Sequence, residues 1–368
     1  MNNRLKSRYK GKRFSRLGKE RGAAIAAILS SAATWALPRV LPQEVVTKEL
    51  IKISMAISLP IKFITGWLPI SIIELFLIAM IPALIYLIWS MIRKPEEALP
   101  SEGGVISSCL VIVGVMLTLF NITLGFAYER TPLRQELGYA EAAVNKETLK
   151  AAITTLLDVG QEARKKADFE GRTVRSYGRQ LQADYKVLAL EQPAYAGQAA
   201  LPKRAILSVP MSYLGVGGMY SPFTCEAMIN GDATNPSIPF TVAHEMAHSL
   251  GFARENEANF SAFLVCIQSD DAAVRYSGCF TGLLYMLPAY RRADPENYAE
   301  LYNSIDEAVR LDFAEYFDHI EKYEGSVNDF HSKINDLFLK SNGQSEGVAS
   351  YGLIVNLIVE WNEANGVS

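Results

Sequence analysis

The run VISSCLVIVGVMLTLFNITLGFAY, from Val105 to Tyr128, carries no charged side chain. A helix that is apolar on every side has to be surrounded by protein or by lipid, and about 20 such residues suffice to cross a bilayer. Two further runs lie upstream: GAAIAAILSSAATWAL (Gly22 to Leu37) and IIELFLIAMIPALIYLIWSMI (Ile72 to Ile92). Three membrane spans are therefore expected, over residues 22–38, 72–92 and 105–128. The first run also has the length of a signal-peptide core. Pro38 and Arg39 follow it, however, and two more hydrophobic segments come after, so it reads as a retained span. Pro82 within the second run is compatible with spanning, because neighbouring helices can satisfy the backbone groups it frees.

Charge sets the expected orientation. Residues 1–21, MNNRLKSRYKGKRFSRLGKER, are strongly basic. Next to a hydrophobic segment such an arm reads as a cytoplasmic flank, and no nucleic-acid partner is expected. The RKPEE loop starting at Arg93 would return to the same side, placing everything after Tyr128 outside the cytoplasm. QEVVTKELIKISMAISLPIKFITGW (Gln43 to Trp67) would then put three lysines on the outer side. Its apolar residues at helical spacing predict an interfacial segment, residues 43–67, lying on the membrane surface.

Apolar residues make up 49% of the 368-residue chain and charged residues 20%, with the long uncharged runs confined to the first third. Residues 129–368 therefore read as a water-soluble domain. Two helices are expected within GYAEAAVNKETLKAAITTLLDVGQEARKKAD and GRTVRSYGRQLQADYKVLA, then a loop in EQPAYAGQAALPKR. The β-branched, glycine-rich AILSVPMSYLGVGGMYSPFTCEAMING predicts one or two short strands, and helices resume after Pro239. The fold class is mainly α, with a small β element just before the histidines. Cys225, Cys266 and Cys279 fall in this part; an odd number excludes full pairing, and the spacing selects no single disulfide.

Two of the four histidines lie in PFTVAHEMAHSLGFARENEANF, residues 239–260. On a helix His244 and His248 stand one turn apart on one face, so both imidazoles can reach one ion. Glu245 projects beside them, placed to take a proton from metal-bound water, which is the physical content of H-E-x-x-H. Catalytic zinc takes three protein ligands and leaves a position for water. Six residues after His248, where a third histidine would stand in one such arrangement, the chain has Arg254. Gly251 can end the helix, and a second helix would offer Glu255 or Glu257. Glu255 shares a face with Asn259, so one could bind the metal while the other orients a histidine. Glu257 points roughly 160° away from Glu255. Glu255 is preferred, and Glu257 stays open as the alternative.

H-E-x-x-H followed by E-x-x-A-N resembles the gluzincin clan of zinc metallopeptidases. Over most of its length the chain also resembles the DUF3810 family of bacterial membrane proteins, through its hydrophobic N-terminal spans and through YERTPL at Tyr128, YSPFTCEA at Tyr220, HEMAHSLGFARENEANF at His244 and LKSNGQSEGVASYG at Leu339. The resemblance implies a helix-dominated, gluzincin-like α+β zinc peptidase domain outside a bacterial cell membrane. It also implies that His244, His248 and Glu255 bind one Zn2+ and that Glu245 is the base. Asn259 stands where many gluzincins carry aspartate; its amide oxygen can still accept an imidazole proton.

The expected function is hydrolysis of peptide bonds by a membrane-anchored zinc metallopeptidase acting on a peptide or cell-envelope protein, the lipid bilayer being the other partner. The alternatives are a catalytically silent, membrane-tethered zinc-binding sensor and a hydrolase of a cell-wall amide. Tyr276, Tyr285 and Tyr351 are candidate donors to the oxyanion or substrate. LGVGGMYSPF reads either as an edge strand that pairs with an extended peptide or as a glycine-rich turn. Arg254 could touch substrate or simply be solvated, while His319 and His331 read as surface or core residues.

Overall fold

The computed structural model describes residues 3–93, 102–342, 344, 346–347 and 353–366. These residues are mainly helical, with a single three-stranded sheet among them. Helix α1 (Asn3–Val40) joins the basic arm and the first apolar run into one element. A turn at Gln43–Val45 and a π-helical stretch, Val46–Leu50, lead into α2 (Ile51–Trp67). Helices α3 (Ile72–Arg93) and α4 (Glu102–Thr123) follow. Four helices, not three, are long and apolar enough to cross a membrane, because Gln43–Trp67 qualifies as well.

The contacts of α1 and α4 give their relative direction. Gly114 lies against Ala27, so closely that a Cβ there would fall 2.7 Å from the Ala27 backbone. Further along, Asn121 Nδ2 donates to Ser31 O and Thr34 Oγ1. Contacts advance together along both helices, which therefore run parallel, with a small residue permitting the close approach.

Helix α2 has the opposite polarity to an ordinary surface helix. Ser54, Ser58, Lys62 and Thr65 are buried, while Ile53, Phe63, Ile64 and Trp67 are exposed. Lys62 Nζ donates to Ser249 O and Gln198 O, since a buried ammonium needs acceptors. Thr131 N donates to Thr47 Oγ1 near the start of this segment, and Arg175 donates to Gly66 O at its end. Both ends thus rest on the chain beyond Tyr128. Glu74, the acidic residue near the start of α3, is buried and accepts from the amides of Ile206 and Leu207.

The C-terminal part begins with α5 (Lys146–Lys166) and α6 (Val174–Glu191), opened by capping boxes at Asn145 and Thr173. Strand β1 (Lys203–Arg204), helix α7 (Ser208–Tyr213) and strands β2 (Gly218–Ser221) and β3 (Glu226–Ile229) come next. The sheet order is β1-β3-β2, with β1 parallel and β2 antiparallel to β3. The sequence reading missed β1, a two-residue strand held by a partner far along the chain, and also α7.

Helices α8 (Ile238–Ser249), α9 (Glu255–Gln268), α10 (Ala272–Ala293), α11 (Pro295–Asn303), α12 (Glu307–Tyr323), α13 (Ser326–Ser341) and α14 (Ile354–Ala364) complete the chain. Ala243, Met246, Phe260, Phe263 and Phe280 are fully buried where α8, α9 and α10 meet. Cys225, Cys266 and Cys279 are buried free thiols. A second core cluster joins Val46, Leu50 and Ile51 to Phe126, Tyr128, Tyr220 and Ala253. The expected division at residue 129 is therefore not a division in packing.

Candidate metal centre

Helix α8 starts with Pro239 in its first turn and with Phe240 N donating to Ser277 Oγ on α10, so that its orphan donors are partly satisfied. It ends at Gly251, whose φ of +86° belongs to the left-handed region that glycine tolerates. The reversal aims Phe252 O back at the helix, 2.7 Å from His248 Nδ1. A carbonyl can only accept, so Nδ1 carries the proton and Nε2 keeps its lone pair.

That lone pair faces the start of α9. Glu255 Oε2 lies 3.7 Å from His248 Nε2 and 3.3 Å from His244 Nε2. One ligand atom from each of the three residues lies within 4.8 Å of the others. Such a cluster of two imidazoles and one carboxylate suits a single zinc ion. Asn259, one turn beyond Glu255, stands beside His244 and favours its protonated form without closing a hydrogen bond to Nδ1, which is buried and has no partner.

Glu257 faces elsewhere. Its Oε1 accepts from Leu133 N and from Arg254 Nη1, each at 2.9 Å. Arg254 also donates to the carbonyls of Tyr128 and Arg130, so it fastens the turn between the two helices and does not line the cleft. Arg130 completes the fastening, with a bidentate pair to Glu136, a bond to Gly251 O and its guanidinium over the Phe252 ring. The YERTPL segment thus positions the turn that carries His248's partner. Gln344 accepts from Glu255 N, a first-turn donor of α9 that has no acceptor within the helix.

Glu245 is buried beside the ligands, and its Oε2 has no partner. Burial raises its pKa to about 8; the Glu255 charge adds to this, while His244 and the Tyr220 amide oppose it. Burial lowers His248 to about 4, against the pull of Glu255. For His244 burial also acts downward, but the Glu255 hydrogen bond and the nearby carboxylate charges outweigh it, and its pKa is raised. Strand β2 passes directly over Glu245: a Cβ on Gly218 would lie 2.6 Å from Oε1.

A cleft of about 410 Å³ reaches His244, Glu245 and Asn259. Tyr285 lines it, next to Asn259, and burial raises the Tyr285 pKa. Tyr276 does not line it: that hydroxyl donates to Asp312 at 2.5 Å inside the core, with Arg164 alongside, so it is unavailable to a substrate. Tyr351 lies outside the described residues. His319 and His331, read from sequence as surface or core residues, both line the cleft, and His319 Nε2 lies 4.0 Å from Asp232 Oδ2. They come from α12 and α13, and no spacing rule connects them to the H-E-x-x-H helix. Glycines 215, 217 and 218 of LGVGGMYSPF also line the cleft, with β2 at the edge of its sheet.

The model of one family, described as "Protein of unknown function (DUF3810)", matches residues 52–359. The chain belongs to the DUF3810 family. The matched region runs from the start of α2 to within α14, so this DUF3810 member carries His244, Glu245, His248 and Glu255 inside the family region. Searches of curated proteins and of solved structures gave no match.

Proposed function

We propose that this DUF3810 protein is a membrane-anchored zinc metallopeptidase with a gluzincin-like catalytic domain. The observation that carries the reading is the convergence of His244, His248 and Glu255 within 4.8 Å. Beside them stands Glu245, a buried carboxylate with an unsatisfied oxygen that borders the cleft. The three converging residues would hold the ion. Bound zinc would lower the pKa of water towards 7 and polarise a substrate carbonyl. Glu245 would take the proton of the attacking water and pass it to the leaving amine, a role that its place beside the converging residues and on the cleft allows. Phe252 O keeps His248 in the ligating tautomer, and Tyr285 is the cleft-lining hydroxyl nearest in kind to an oxyanion donor.

The cleft lining favours an uncharged substrate segment. Asn230, Asn328, Asn335, Tyr316 and Tyr323 line it, with no lysine, arginine or aspartate among the described residues. A cell-wall amide fits this polarity as a second substrate class.

The parallel pairing of α1 and α4 supports three crossings of the membrane. The eight residues 94–101 joining α3 to α4 reach at most about 28 Å, so α3 runs opposite to α4 across the bilayer. With α1 and α4 running the same way, the segment ending in α2 must start and finish on one side, with its polar face on the domain and its apolar face towards lipid. The basic arm supports a cytoplasmic N-terminus, and with it a position outside the cytoplasm for the His244, His248 and Glu255 cluster. A membrane-impermeant thiol reagent should label Leu190→Cys in intact cells; labelling only after lysis would overturn the orientation.

The function is tested on the full chain in detergent, loaded with zinc and presented with a broad peptide library. Turnover should fall about a thousandfold in Glu245→Gln while bound zinc stays stoichiometric. Equal turnover would remove Glu245 from the mechanism, and no turnover by the loaded wild type would leave a silent zinc-binding sensor.

A further inference from the structure

A second cavity, of about 390 Å³, shares no lining residue with the histidine cleft. Pro69, Arg172, Arg175, Lys203 and Arg204 line it, together with the first residues of α6. Four cationic residues and, among the described residues, no acidic one therefore border a single space. Two of the four are neutralised from outside it: Lys203 pairs with Glu226 at 2.5 Å and Arg172 with Asp271 at 2.8 Å.

The other two are not. Arg175 Nη2 donates to Gly66 O at 3.0 Å, and Arg204 Nη2 donates to Gly231 O at 2.9 Å. Both partners are neutral carbonyls, and among the described residues neither guanidinium meets a carboxylate. Each retains N–H donors in the planar fork that matches an oxyanion. Two such groups lining one cavity, with no carboxylate partner among the described residues, leave N–H donors that an anion from outside the chain can use.

Location narrows the chemistry. Pro69 belongs to the turn between α2 and α3, where Trp67 is 82% exposed and Ile70 44% exposed, immediately before the long apolar run of α3. An exposed tryptophan next to such a run marks the level of lipid headgroups, where phosphate is the abundant anion. We infer that this cavity binds a phosphate-bearing anion, held by Arg175 and Arg204. Its source is either the headgroup of an anionic phospholipid or soluble phosphate.

The test uses the full chain in detergent, with native mass spectrometry and thermal unfolding in the presence of phosphatidylglycerol, diacylglycerol or inorganic phosphate. Wild type should retain phosphatidylglycerol or gain stability from phosphate, and the Arg175→Gln/Arg204→Gln variant should bind about tenfold more weakly. Arg204→Glu, a change at an exposed side chain, should weaken binding as strongly while unfolding at the wild-type temperature without ligand. Competition of phosphate with phosphatidylglycerol identifies the headgroup phosphate as the bound group; binding of phosphate alone identifies the soluble anion. Equal binding by wild type and both variants, binding of diacylglycerol as tight as phosphatidylglycerol, or no binding by wild type would overturn the inference.

Discussion

His248 Nδ1 lies 2.7 Å from the main-chain oxygen of Phe252, and this hydrogen bond decides which nitrogen of the ring is left for a metal. The carbonyl is where it is because Gly251 adopts a φ of +86°. Gly251→Ala strains that turn by about 1 kcal/mol and brings a Cβ to 3.3 Å from Ile51 Cγ2. Zinc affinity, followed by competition with a chromogenic chelator, should drop about tenfold. Undiminished affinity would mean that His248 is oriented by something other than Phe252.

Glu255 and Glu257 should fail differently. Glu255→Gln removes a ligand oxygen, and metal analysis of the purified chain should show zinc lost with unfolding temperature in chelator unchanged. Glu257→Gln keeps stoichiometric zinc but weakens the bonds to Arg254 and Leu133, lowering stability by about 2 kcal/mol. The reverse pattern would move the ligand role to Glu257.

Gly218 is the point where β2 clears Glu245. A methyl group there would sit 2.6 Å from Oε1, so Gly218→Ala must displace the carboxylate or the strand. Peptidase turnover should fall at least about a hundredfold, roughly 2.7 kcal/mol of barrier, with zinc content retained. Full turnover in that variant would argue that Glu245 tolerates displacement and is not the base.

Glu226 gives the domain an acid limit. Burial alone would raise its pKa, but hydrogen bonds from Lys203 Nζ and the Ile72 and Ile73 amides outweigh burial and hold it below the ordinary value of 4.5. A depressed folded-state value means that the stabilisation is complete above about pH 4.5 and is lost as pH falls through the folded value. Thermal unfolding of the wild type should therefore weaken below that pH, whereas the Glu226→Leu/Lys203→Met pair should lack this limb. Parallel acid profiles for the two proteins would exclude Glu226 as the cause.

What the sequence made legible was local. His244, Glu245 and His248 could be placed because helical spacing alone puts them together, and Asn259 could be tied to Glu255 by the same rule. Glu255 against Glu257 turned on the Leu133 amide and on Arg254, partners that no spacing reveals. Tyr276 was a reasonable donor until Asp312, 36 residues away, was found to hold its hydroxyl. His319 and His331 went unrecognised because their approach to the cleft depends on how α12 and α13 pack. The polar face of α2 was readable as amphipathic, but not that it lies against Ser249, at the end of the helix that carries His244 and His248.

The shared core of Val46, Leu50, Ile51, Phe126, Tyr128, Tyr220 and Ala253 has a practical consequence for cutting the chain. A fragment starting at residue 129, the natural choice if the last span is treated as a mere anchor, would strip apolar partners from Tyr220 and Ala253. It would also remove the Tyr128 carbonyl from Arg254. The part that carries the His244, His248 and Glu255 cluster and the part that carries the apolar helices overlap in sequence, so excision by hydropathy alone would leave an open seam.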